Sequence, residues 1–154
     1  MKFRIRLLAA LLLLTLACSM TGCSLLTKAV NAGKNTKSLV EAELNAFAAG
    51  DEAAAYAGLY PGQVSEEEFS ELFERMKEYC PIPAEYSLTL VNVNTSTNYT
   101  VGGKKDIVQG DYLLSFDGQS FHVLVSYVTD QNGSGFQGWR VLNEEDYKIY
   151  QGVG

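Results

Sequence analysis

The sequence predicts an α+β domain, with helices in its N-terminal half packed on a curved antiparallel sheet of about four strands. Three observations carry this expectation. Apolar residues between positions 37 and 79 recur every three or four places, the spacing of one helix face. From Tyr86 the spacing changes to two, the spacing of strands. Turn signals at Asp117-Gly118 and at Gln131-Asn132-Gly133-Ser134-Gly135 then cut the second half into hairpin lengths. At 154 residues the chain is one domain in size.

The first residues form an export segment. Lys2, Arg4 and Arg6 precede a run from Leu7 to Leu16 that is almost wholly apolar. That run is about half of the ~20 residues a helix needs to cross a bilayer, which fits a signal peptide and not a spanning helix. Met20-Thr21-Gly22-Cys23-Ser24 follows. Small residues ahead of a cysteine at this place resemble the lipobox of bacterial lipoproteins. The resemblance implies cleavage before Cys23 and acylation of its thiol. That would anchor the chain on the extracytoplasmic face of the cell membrane, with palmitate-type chains each contributing about 0.8 kcal/mol per buried methylene. Met20 stands where that family prefers leucine. Thr15-Leu16-Ala17-Cys18 is a competing site, but it would leave a short apolar run and no polar segment before the cut.

Residues 1–22 hold three of the 12 basic residues. The remaining nine against 18 acidic ones give the processed chain a net charge of −9. Such acidity repels phosphate backbones, so nucleic acid is set aside as a partner. With Cys18 removed and Cys23 acylated, Cys80 stands alone, which leaves no intramolecular disulfide and no cysteine-based metal site.

Residues 23–36 read as a polar tether between lipid and domain, and residues 37–150 as the domain itself. A first helix is expected from Lys37 to Ala49, capped by Asn35 or Thr36, with Val40, Leu44 and Phe47 as its apolar stripe. Gly50 suits the left-handed position beyond its end, and Asp51 can cap a second helix from Glu52 to Leu59. Ser65 with Glu68 makes a capping box for a third helix, whose stripe is Phe69, Leu72, Phe73 and Met76. Pro81 and Pro83 end it.

Strands are expected at Tyr86–Asn94, Ile107–Phe116, Gln119–Thr129 and Gly138–Asn143, with residues 92–105 as a polar hairpin or loop. A tight turn at Asp117-Gly118 would pair Leu114 with Phe121 and Tyr112 with Val123 on an apolar face covered by the helices. His122 would then fall on the opposite, convex face, where bulk water or a partner would meet it. Gly102-Gly103-Lys104-Lys105 precedes no helix and reads as a turn, not a phosphate cradle.

The order of elements, with Phe47-Ala48-Ala49-Gly50-Asp51 before Ala53-Ala54-Ala55-Tyr56 and a closing Gly138-Trp139-Arg140-Val141, resembles the NTF2-like (cystatin-like) superfamily over roughly residues 37–146. That resemblance implies a cone formed by a sheet wrapped on a helix. Some members are isomerases or dehydratases with Asp, Tyr or His inside the cone, and here Asp111, Tyr112, Asp117, His122 and Tyr127 lie close in sequence. No nucleophile elbow, Walker loop or zinc-binding helix motif is present, so no catalytic residue, cofactor or metal ligand is assigned. The aromatic content favours a non-catalytic binding role for a small ligand or an envelope protein, with Tyr112, Tyr127 and Trp139 as candidate binding residues. A small NTF2-like enzyme acting by proton transfer on an exported substrate is the alternative.

Overall fold

A computed structural model of the chain describes residues 32–152. Cys23, its signal peptide and most of the expected tether lie outside them. Helix α1 covers residues 32–49, α2 Glu52–Ala57 and α3 Glu66–Tyr79. Strands β1 Ser87–Thr100, β2 Gly103–Phe116, β3 Gln119–Asp130 and β4 Gly133–Asn143 follow, and then helix α4, Glu144–Tyr150. The strands form one antiparallel meander in the order β1-β2-β3-β4. The expected α+β class, helices on a curved four-stranded sheet, is what forms.

Local signals account for most boundaries. Gly50 ends α1 at φ 68°, and Asp51 caps α2 by accepting from Ala54 N at 3.0 Å. Ser65 and Glu68 form both halves of the capping box on α3. Asp117 and Gly118 both have positive φ, 49° and 74°, so the turn matches the strand twist and sets the pairs Leu114–Phe121 and Tyr112–Val123 as expected.

Two expectations are corrected, one is decided and one helix is added. Helix α1 already includes residues 32–36. Thr36 is therefore no cap: it is buried inside the helix, its hydroxyl donating to Ala32 O at 2.9 Å. Helix α2 stops at Ala57, and Leu59 instead bridges to Phe136 at the β4 edge. There, a side chain at Gly135 would collide with the Leu59 backbone. Of the hairpin and loop readings of residues 92–105, the hairpin forms: they extend β1 and β2, and their Thr, Val and Tyr side chains suit a pleated ladder. Helix α4 was not anticipated.

The core lies between the helices and the concave face of the sheet. Val40, Leu44 and Phe47 of α1 and Phe69 and Phe73 of α3 pack over Leu88, Tyr112, Leu114, Phe121, Val123 and Val125. Phe47 stacks on Phe73 at 4.7 Å between centroids. Leu72, expected in the α3 stripe, is instead 49% exposed.

Candidate functional site

A cavity of about 470 Å³ opens between α1, α3 and β4 on the concave side of the sheet. Phe47, Phe69, Phe73, Met76, Phe136 and Val141 make most of its wall, and Leu72, exposed on α3, belongs to its margin. This explains why an apolar residue of the stripe is not covered. Gln63, Arg75 and Tyr79 add polar groups at the exposed side. Largely apolar walls with few polar groups are typical of small-molecule pockets.

Two polar groups stand apart from this lining. Trp139 packs between Phe47, stacked at 6.3 Å, and Phe136, edge-on at 5.1 Å. Its Nε1–H is buried and meets no acceptor among the described residues. An unmet buried donor costs about 1–3 kcal/mol, so its retention calls for a reason. Glu43, on the inner face of α1, is 5% exposed and also lines the cavity. Its Oε2 rests against Gly58, where a Cβ would collide with it. Burial alone pushes its carboxyl up from 4.5 to about 8. At neutral pH it is therefore mostly protonated and can both donate and accept. The sequence contained this signal, since Glu43 sits three places after Val40 on the apolar side of α1.

Of the three candidate binding residues, only Trp139 lines this cavity. Tyr112 is fully buried, and its hydroxyl donates to Gly33 O at 3.0 Å, tying the sheet to α1. Burial pushes that hydroxyl up to about 12. Tyr127 is half-buried and packs edge-on against Phe136 at 5.1 Å. Both serve packing. Cys80 is buried and unpaired, and burial raises its thiol to about 12, which keeps it unreactive.

A second polar cluster lies on the convex face. His122 falls there as the register required, but it is 7% exposed and not solvated. Helix α4 covers it. His122 Nδ1 lies 2.9 Å from Asp111 Oδ1 on the neighbouring strand. Tyr147 of α4 donates to Asp111 Oδ2 at 2.5 Å and receives a bond from Gln151 Nε2 at 2.5 Å. The bond to Asp111, followed by desolvation, raises the Tyr147 hydroxyl to about 12. Glu144 Oε1 stands 3.7 Å from His122 Nε2. Asp111 therefore meets both rings, His122 through Oδ1 and Tyr147 through Oδ2. No serine, threonine or cysteine is hydrogen-bonded to His122 among the described residues, so this pair has no nucleophile to activate. The cluster fastens α4 to the sheet.

No family model, curated protein or solved structure matches the chain. Among the described residues, no helix is long and apolar enough to cross a membrane, and no group of side chains is placed to hold a metal ion.

Proposed function

We propose that the chain is a membrane-anchored extracytoplasmic lipoprotein with an NTF2-like domain, whose cone binds a small, largely apolar molecule bearing an oxygen acceptor. The observation that carries the binding reading is the unpaired Nε1–H of Trp139 in the wall of the cavity. A ligand carbonyl or hydroxyl would satisfy it, and the protonated Glu43 supplies a further hydrogen-bonding group. The lipid anchor rests on the sequence around Cys23.

Glu43 also gives the catalytic reading its best support, because a carboxyl near 8 is suited to proton transfer at neutral pH. Binding is preferred because the other ionisable groups of the cavity, Arg75 and Tyr79, are exposed and Tyr79 is committed to Asp146 at 2.6 Å. A thermal-shift screen of the domain from residue 24 onward, against medium-chain ketones and alcohols, tests the proposal. A compound at 100 times its dissociation constant adds about 2.7 kcal/mol. Absence of any stabilisation across ketones and alcohols would remove the binding reading.

A further inference from the structure

We propose that the convex face of the sheet carries a second binding site, a groove that takes a neutral oligosaccharide. The register places two adjacent rows of side chains across all four strands. One row is Asn92, Asp111, Leu124 and Arg140; the next is Asn94, Gln109, Ser126 and Gly138. Bulges in both edge strands, after Leu90 and beside Ser126, keep these residues in line on one face. Two shallow cavities of about 370 and 260 Å³ lie along the rows and share Gln109, Leu124, Val125 and Tyr150, so they form one groove. With strands about 4.8 Å apart, the rows span roughly 14 Å.

The end of the groove is built by α4. Tyr150 is 57% exposed, and Arg140 Cζ stands 5.3 Å from its ring centroid, which braces the ring beside the groove. Tyr147 adjoins it, held by Asp111. The helix lacks any buried residue of its own. Its attachment through the Asp111–His122–Tyr147 cluster therefore positions the two aromatic rings of the groove.

The chemistry of the lining selects the ligand class. The side chains of Asn94, Gln109 and Ser126 make no hydrogen bond among the described residues, so their donors and acceptors are free. Amides and a hydroxyl both donate and accept, as the hydroxyls of a sugar do. The exposed ring of Tyr150 offers an apolar face to the C–H side of a sugar ring. A phosphate-bearing ligand is disfavoured: the groove's one cation, Arg140, is engaged by Tyr150, while Asp111 adds a negative charge. A peptide anchored by large side chains is disfavoured too, because Leu124 is the one aliphatic side chain that the register puts on this face of the groove, and the cavities there are shallow.

The test uses the full-length protein, isotope-labelled, in a detergent without a sugar head group. Cellotetraose, chitotetraose and maltotetraose are titrated separately, with pyrophosphate and a neutral hexapeptide as counter-probes. At least one saccharide should shift the amide resonances of Gln109, Leu124, Ser126 and Arg140 and leave the Trp139 indole N–H signal in place. Gln109→Ala and Tyr150→Ala should each weaken that saccharide at least tenfold without lowering the melting temperature. No shift with any saccharide at millimolar concentration would overturn the proposal. So would shifts confined to the Trp139 cavity, preference for pyrophosphate or the peptide, or unchanged affinity in both variants. The indole signal separates failure of this groove from failure of the cavity as a ligand site.

Discussion

The phenol ring of Tyr147 lies flat on the His122 imidazole, with centroids 3.4 Å apart and planes 3° apart. The same phenol donates to the carboxylate that His122 contacts. Helix α4 thus meets the sheet through stacking and charge-assisted hydrogen bonds instead of an apolar stripe, and a histidine that register alone would leave in water becomes buried.

Removing only the hydroxyl separates these contributions. Tyr147→Phe keeps the stacked ring but loses the bond to Asp111, and is expected to cost about 1.5–3 kcal/mol on urea melts, the usual range for hydrogen bonds to charged groups. Tyr147→Ala should also release α4, which NMR would show as loss of helical shifts over Glu144–Tyr150. A cost under about 0.5 kcal/mol for both variants would mean that the clasp does not hold the helix.

Glu43 gives stability a definite pH dependence. Its folded-state pKa, raised from 4.5 to about 8, lies above that of the unfolded chain. The folded form therefore holds the proton more tightly between those values. The burial penalty is absent below pH 4.5, grows as pH rises, and is complete above about 8. Each pH unit in that window removes about 1.4 kcal/mol of stability relative to an uncharged residue. Glu43→Gln should consequently gain on the wild type from pH 5 to pH 8. Equal slopes for the two proteins would show that Glu43 is ionised in the fold.

Phe73 belongs to the core cluster, stacks on Phe47 and is 1% exposed. Phe73→Ala should cost about 3–5 kcal/mol, as large buried aromatic deletions do. A loss under about 1 kcal/mol would detach α3 from the core.

The cysteines divide by chemistry. Cys80, buried with its thiol raised to about 12, should resist maleimide in the folded protein and react in urea. Cys23→Ala should abolish labelling by a palmitate analogue in cells. Persistence of the label, with loss in Cys18→Ala instead, would move the anchor to the other cysteine.

Much of the fold was legible where a single residue fixes the backbone. Gly50, the Ser65–Glu68 box and Asp117-Gly118 each settle a local geometry, and the register across the last follows by counting. Helix α4 was harder to read because it has no apolar stripe. Its signals are polar: Asn143 accepting from Asp146 N at 2.9 Å, and three acidic residues in the first turn. For residues 92–105 the sequence left hairpin and loop both open, because these residues are polar on both faces and burial does not mark the strand period. Of the two polar groups in the cavity wall, Trp139 is among the residues named from the sequence and Glu43 is not. Its spacing from Val40 puts Glu43 on the apolar side of α1, but the contact of its Oε2 with Gly58, fifteen residues on, is not reported by any local pattern.

Trp139 is the sole tryptophan of the chain, so its emission reads the cavity directly. The most direct test is a fluorescence titration of the domain with 2-undecanone and, separately, with undecane. If the indole N–H awaits an oxygen acceptor, the ketone should shift Trp139 emission saturably and bind about tenfold more tightly than the alkane, a difference of about 1.4 kcal/mol, within the range for one hydrogen bond. Equal affinity for the two compounds, or unchanged emission at the solubility limit of both, would contradict the account.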